Sequence, residues 1–375
     1  MRNKKFVDLF CGVGGLTLGL SNAGFAPKIA VDIWEKAELN FKAYFPKVEF
    51  LKLDLSDNNY RDLLVSQIKK VNPVLIAGGP PCQGFSTLGK RHDEDKRNSL
   101  IDSYLDVLKR VCPLFIIIEN VPGMKSMSHK SGTDYPTHIR KTLERIGYQV
   151  ATLSLNSVEF GIAQTRKRVF FLGMLHGVNQ TGSPPFSELA LQLSSEMKTK
   201  EQKTLRDAIY DLPRLTDGEG EESLLLDGEE ILNHKIFKHS ELLKKRLSFV
   251  PYAGGLQDIP RKYLSRHLRK MIDGEYGSGG FVKNLYGRLV WEKPSGTVVA
   301  GIRKVTCGRF VHPEDNRLLS VRECARLQGF PDDFRLSGSI TEQYTLVGNA
   351  VPPVFGYVLG EIIKKLSKLR TIHAN

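Results

Sequence analysis

Residues 73–86 read Pro73-Val74-Leu75-Ile76-Ala77-Gly78-Gly79-Pro80-Pro81-Cys82-Gln83-Gly84-Phe85-Ser86. The run from Pro73 to Ala77 is apolar and of strand length, and the two glycines end it. Two prolines then fix the backbone direction, so Cys82 is presented just past a strand rather than packed within one. A cysteine held there is placed for chemistry, whereas a lone buried cysteine is more often a small apolar core residue.

The same strand-then-turn pattern recurs on either side. Candidate strands span 5–10, 28–32, 48–54, 73–78, 114–119, 149–155 and 168–174. Leu114-Phe115-Ile116-Ile117-Ile118 is apolar throughout, as expected for a strand covered on both faces. Helix-like stretches lie between them at 15–23, 35–44, 99–110 and 136–146, with Gly24 and Gly147 closing the first and last. This alternation predicts an α/β fold with a doubly wound, mainly parallel sheet. The pattern fades from about 176 to 285, where Thr216–Glu222 reads as a polar surface loop. Lys244-Lys245-Arg246 and Arg261–Lys270 add positive charge there, which alone reads as a solvated helix face. Order returns at 320–328, where Ser320 and Glu323 make a capping box, and at Ala350–Leu369, an apolar-faced helix.

Composition narrows the function classes. The chain has 375 residues, 41% hydrophobic and 25% charged, as in ordinary globular proteins, and its length predicts one large domain plus a smaller one. Lys and Arg number 54 against 41 for Asp and Glu, a net charge of +13 that favours a polyanionic partner. Cys11, Cys82, Cys112, Cys307 and Cys324 are odd in number, widely spaced and without a Cys-x-x-Cys pair, so neither a disulfide framework nor a structural zinc site is expected. Asp8 and the glycines at 12, 14, 15 and 19 interrupt the apolar N-terminus, which argues against a signal peptide. No uninterrupted apolar run is expected to reach membrane-spanning length. A soluble, cytoplasmic protein is the expectation.

Gly12-Val13-Gly14-Gly15, between the first strand and the first helix, is a turn where a ligand can approach the backbone. The dinucleotide fingerprint Gly-x-Gly-x-x-Gly fails at its last position, Thr17. Asp32 ends the second strand and Asp54 ends the third, so carboxylates at successive strand ends can accept from ribose hydroxyls and an adenine edge. Glu119-Asn120-Val121 closes the apolar run 114–118, and Gln164-Thr165-Arg166-Lys167-Arg168 precedes another strand.

In this order the motifs resemble the DNA (cytosine-5)-methyltransferase family, from residue 5 to about 365, with 176–280 unmatched. Two later stretches add to the resemblance. Arg317–Pro331 is similar to the family's ninth motif, and Gln343-Tyr344 through Pro352 to its tenth. The resemblance implies a Rossmann-like, S-adenosylmethionine-dependent catalytic domain over 1–178, completed by 340–375, and a target-recognition domain over 179–339. S-adenosylmethionine, without a metal, is the implied cofactor. Its implied contacts are Phe10, Gly12, Gly14, Gly15, Asp32, Ile33, Trp34, Asp54, Leu55, Pro80, Leu100, Asn349 and Ala350. The family places an aromatic directly after its ribose acid; here Ile33 intervenes before Trp34, which leaves two candidates for covering the adenine.

Carbon 5 of cytosine is a poor nucleophile until a nucleophile adds at carbon 6, so the implied chemistry needs a thiolate, a donor at N3 and a donor at O2. Cys82 matches the first. Glu119 matches the second, with burial expected to favour its protonated form. Arg168 matches the third, and Arg166 adds positive field. Pro81, Asn120 and Gln164 are supporting residues: Asn120 bracing the diproline turn, Gln164 near the substrate backbone. Residues 83–98 read as a lid. The substrate implied is a flipped-out cytosine in a short duplex DNA sequence. Ser86, Ser278, Arg288, Thr297 and Arg303 are candidate DNA contacts, with Gly277-Ser278-Gly279-Gly280 filling the gap left by the flipped base. The alternatives are a tRNA-acting member of the same family, whose Cys-Phe-Thr triplet is absent here, and an inactive DNA-binding relative, against which intact Cys82, Glu119 and Arg168 argue. A monomer is expected, and a separately acting restriction endonuclease is left open as a partner.

Overall fold

The computed structural model describes residues 3–81, 99–126, 128–129, 132–175, 185–215, 220–275 and 282–372. The chain forms two compact units. The first comprises residues 1–156, 167–199 and 351–375, and the second 157–166 and 200–350. These boundaries correct the expected ones. Residues 157–166 and 340–350 belong with the second unit, and residues 179–199 with the first.

The first unit is built on seven strands: β1 (Lys5–Leu9), β2 (Ala26–Asp32), β3 (Glu49–Lys52), β4 (Leu75–Gly78), β5 (Phe115–Asn120), β6 (Tyr148–Asn156) and β7 (Lys167–Leu175). Each contains or overlaps one expected from the sequence. Their order across the sheet is β3-β2-β1-β4-β5-β7-β6, with β7 antiparallel to both neighbours and the other pairings parallel. Between them run α1 (Gly15–Asn22), α2 (Glu35–Tyr44), α3 (Asn58–Val71), α4 (Ser99–Val111) and α5 (Tyr135–Ile146), followed by α6 (Phe186–Glu196). Local chemistry sets several helix ends. Asp57 caps α3 by accepting from Asn59 N, and Asp134 caps α5 by accepting from Thr137 N. Gly147 ends α5 at φ 106°, a left-handed conformation that glycine adopts without strain.

All six residues of β5 are buried. Ile116 and Ile118 join Val7, Leu9, Ile76, Ile68, Leu108, Ile139 and Leu143 in one apolar cluster. The last helix of this unit, Pro353–Ile372, packs on α1 at glycine contacts. A Cβ on Gly19 would lie 1.9 Å from Pro353 O, and one on Gly356 would lie 2.6 Å from Leu16 O.

In the second unit, α7 (Leu205–Ile209) precedes the hairpin β8 (Gly220–Leu226) and β9 (Glu229–Lys235). Then come α8 (Glu241–Leu247), α9 (Arg266–Ile272), the short parallel pair β10 (Gly287–Arg288) and β11 (Arg309–Val311), α10 (Val321–Gln328) and α11 (Ile340–Asn349). The Ser320–Glu323 capping box forms as the sequence predicts. Glu323 also pairs with the buried Arg317 at 2.8 and 2.9 Å, which holds its carboxyl down at about 2. Arg322 donates to the carbonyls of Leu232, Pro331 and Phe334, tying α10 to β9 and to the turn after it. The terminal helix of the first unit is α12 (Pro353–Ile372). By length and composition alone, Ile340–Leu369 passes for a membrane span, although polar residues such as Gln343, Asn349 and Glu361 interrupt its apolar run. Its most apolar window is 72% buried in the protein, as a core helix is.

Candidate active site

Strand register brings the first unit's candidate residues to one edge of the sheet. Leu9 pairs with Val31 on one side and Gly78 on the other, and Gly78 pairs with Ile118. The residues just beyond, Phe10–Gly15, Asp32, Gly79–Pro81 and Glu119–Asn120, therefore leave the sheet at its carboxyl edge. Because β7 runs the other way, its beginning lies there too. Asn120 pairs with Val169, next to Arg168. Ligands of open α/β sheets bind at this edge.

At the glycine turn, Phe10 (φ 59°), Gly12 (φ 54°) and Gly14 (φ 90°) all take the left-handed conformation. That conformation is rare for a bulky side chain such as Phe10. A Cβ on Gly14 would lie 2.7–2.9 Å from the rings of Phe41 and Phe45, so its bareness serves packing. A Cβ on Gly12 would meet nothing within 4 Å among the described residues, so the turn borders space that none of them fills. Asp32 fixes the turn, since its carboxylate accepts from Gly12 N and Trp34 N, each at 2.9 Å. Burial pushes the Asp32 carboxyl up, against the pull of those amides. Below the turn, burial raises Asp8 to about 7, against a hydrogen bond donated by the Thr17 hydroxyl at 2.5 Å; the Asp32 charge adds to the rise. Asp54 is half-buried and accepts from Ser56 N at 2.9 Å, while Leu55 is buried. Ile33 is 61% exposed, whereas Trp34 is half-buried and stands at the N-terminus of α2. Leu100 is half-buried near the start of α4, and Pro80 is buried.

On the other side of the diproline turn, Glu119 and Arg168 form an ion pair, Nε to Oε1, at 2.8 Å. Both side chains are nearly buried, with exposures of 10% and 13%. Glu119 is thus partnered by a guanidinium as well as buried, a partner the sequence reading did not name. A Cβ on Gly79 would lie 2.8 Å from Glu119 Oε2. The glycine before the two prolines is therefore what lets the turn approach the carboxylate. Asn120 is fully buried; its Oδ1 accepts from Val121 N, and its Nδ2 has no partner among the described residues. The expected brace between Asn120 and the diproline turn is therefore not formed among the described residues. Pro81 is half-buried, and Cys82, Ser86 and Ser278 lie outside the described residues, as do the expected lid and the Gly277–Gly280 loop.

Several residues expected to meet substrate are instead internal struts of the second unit. Gln164 is fully buried; its Nε2 donates to Leu327 O and Gln328 Oε1, and its Oε1 accepts from Val298 N. Arg166, 3% exposed, donates to the carbonyls of Val298, Gly348 and Ala350. Arg288 is 4% exposed and donates to the carbonyls of Val250, His312, Asp315 and Leu247 and to Asn316 Oδ1. A guanidinium so enclosed has no face left for a base edge, so the DNA-contact reading of Arg288 is corrected. Arg309 also clamps backbone carbonyls. Thr297 Oγ1 donates to Thr165 O at 2.9 Å, bracing the loop. Arg303 is half-buried and has no hydrogen bond or ion pair with a described residue, so it remains a candidate contact. Asn349 is exposed at the end of α11, and Ala350, buried beside it, gives its carbonyl to Arg166 and Gln328. Sequence reasoning passed over Gly79, whose bareness next to Glu119 shows only once β4 and β5 are paired.

Comparison with known proteins adds an independent finding. The family model described as C-5 cytosine-specific DNA methylase matches residues 4–367. The Type II methyltransferase M1.HphI of Haemophilus parahaemolyticus is 35% identical over 370 residues, covering 96% of this chain and 87% of its own. M.DdeI of Desulfomicrobium norvegicum is 31% identical over 381 residues, covering 95% and 88%. Among solved structures, a protein assigned as a prophage-encoded DNA modification methyltransferase (E. coli) superposes with a TM-score of 0.72 at 24% identity, covering 97% of this chain and 99% of that one. The Dnmt2 methyltransferase of S. pombe does so with a TM-score of 0.62 at 19% identity, with the same coverage. At these identities the structural likeness bears on the fold.

Proposed function

Because the chain belongs to the C-5 cytosine-specific DNA methylase family, we propose that it transfers a methyl group from S-adenosylmethionine to carbon 5 of a cytosine flipped out of duplex DNA. The observation that carries the reading is the Glu119–Arg168 pair at 2.8 Å, next to the glycine that admits the Pro80-Pro81 turn and hence the segment leading to Cys82. The glycine turn suits the cofactor. Space at Gly12 that no described residue fills admits it, the carboxylates of Asp32 and Asp54 can accept from its hydroxyls and amino group, and the exposed Ile33 offers an apolar cover. When bound, the cofactor supplies an electrophilic methyl group on a sulfonium.

The protein's own residues do the rest. The Cys82 thiolate adds to carbon 6, which makes carbon 5 nucleophilic. Glu119, taking up a proton from solvent as its pair with Arg168 opens, donates to N3, and Arg168 donates to O2 as negative charge develops there. After methylation, loss of the carbon 5 proton to a base and expulsion of the thiolate restore the aromatic ring. Since Arg168 holds Glu119 in the free protein, substrate entry must divide that pair, sending the guanidinium to O2 and the carboxyl to N3. Arg166 and Gln164 hold the loop ahead of β7 in place and touch no substrate. The second unit, with Arg303 among its contacts, reads the DNA.

The test is transfer of radiolabelled methyl groups to unmodified plasmid DNA and, separately, to tRNA. Label in DNA at cytosine carbon 5 supports the proposal. Label in tRNA alone, or none from protein that demonstrably binds the cofactor, overturns it.

A further inference from the structure

Away from the residues discussed so far, the first unit gathers a second chemically competent cluster. Asp102 lies on α4, His129 in the segment after β5, and His138 on α5. Asp102 Oδ1 is 2.9 Å from His138 Nε2, and Oδ2 is 3.3 Å from His129 Nε2. The two imidazoles stack with centroids 3.6 Å apart and planes 15° from parallel. The three ligand atoms all lie within 4.8 Å of one another. The His129 side chain is 4% exposed, while those of His138 and Asp102 are 19% and 30% exposed, so the cluster is anchored on one side and reachable on the other.

We propose that Asp102, His129 and His138 form a binding site for a divalent transition-metal ion of the zinc, cobalt or nickel class. Two imidazoles and one carboxylate suit these borderline ions, whereas magnesium and calcium call for all-oxygen shells. Metal–ligand bonds of about 2.0–2.2 Å in a tetrahedral arrangement place neighbouring donors about 3.3 Å apart. The two carboxylate–imidazole distances lie at and just below that spacing, and all three ligand atoms lie within 4.8 Å, so a tilt of the stacked rings would complete the arrangement. On binding, the proton on each Nε2 moves to Nδ1 or leaves to solvent and frees the Nε2 lone pair, so two N–H···O contacts give way to three metal bonds. Three protein ligands leave a fourth position for water. The ion would staple α4 and α5 to the segment that follows Glu119-Asn120. It takes no part in the proposed methyl transfer, and the inference does not depend on that reading.

The experiment titrates the chelator-treated full-length chain with Co2+, following ligand-field absorption, and with Zn2+ by equilibrium dialysis, alongside His138→Gln and Asp102→Asn. The expected result is one ion per chain, without a thiolate charge-transfer band. Each variant should weaken affinity at least ~10-fold, the loss that even an outer-sphere partner causes. Independently of the variants, Co2+ should shift the ring resonances of two of the nine histidines in the wild-type protein. Equal uptake by both variants, a spectrum dominated by thiolate, or no shifted histidine pair would overturn the proposal, leaving the carboxylate as a clip between two rings.

Discussion

At the scale of single residues, the polar groups proposed to do chemistry, Glu119 and Arg168, stand apart from those that hold the fold, Arg166 and Arg288. Glu119→Gln keeps the size of the side chain but loses its acid, so methyl transfer should fall by about 10²–10⁴-fold while cofactor affinity, read by calorimetry, stays near wild type. Arg166→Ala should act otherwise. It strips buried carbonyls of their donor, at about 1–3 kcal/mol for each group left unpaired, and should appear first as a lower urea midpoint. Asp8 supplies a pH test. Its folded value of about 7 exceeds the unfolded 3.8, so between these the native state binds more protons, and stability falls as pH rises through that window. Asp8→Asn should flatten the fall, which urea midpoints at pH 5 and pH 8 would show. A variant whose midpoints track wild type at both pH values would contradict the assignment. The sequence singled out Glu119 and Arg168, which the structure pairs at 2.8 Å, because strand-end residues of unusual type stand out, while Cys82 lies outside the described residues. It did not show that Arg166, Gln164 and Arg288 are buried struts, because burial of a polar side chain depends on partners more than twenty residues away, which no local pattern records.

At the scale of elements, close backbone approach governs. Gly79→Ala places a methyl group 2.8 Å from Glu119 Oε2 and should lower kcat with little effect on melting temperature, because only the turn and one carboxylate must shift. Gly19→Ala meets backbone at 1.9 Å where α1 crosses α12 and should instead destabilise the whole first unit, seen as a fall in melting temperature. Strand positions were readable to within a few residues because runs such as Ile116–Ile118 announce burial on both faces. The antiparallel β7 was not, since parallel and antiparallel central strands carry the same apolar signature and differ only in pairing. Within the second unit, Arg303→Ala should weaken DNA binding without changing thermal stability, whereas Arg288→Ala should do the reverse. Matching losses in both properties for both variants would contradict the division drawn here.

At the scale of the whole molecule, a net charge of +13 makes association with DNA an electrostatic event, and affinity should fall linearly in log–log terms as salt rises. Charge and length together pointed to a basic two-part protein, but the interleaved boundaries at 156/157, 166/167, 199/200 and 350/351 are set by which segments pack together, which composition does not register. The central claim, that this fold delivers a thiolate, an acid and a guanidinium to one cytosine, is tested most directly by base-resolution methylation mapping of unmodified plasmid DNA. The wild-type protein would be run with S-adenosylmethionine beside Cys82→Ala and Glu119→Gln. The account predicts methyl groups confined to carbon 5 of cytosines in one short sequence, none with Cys82→Ala and few with Glu119→Gln. Methylation by Cys82→Ala at the wild-type rate, or methyl groups at another position of the base, would contradict it.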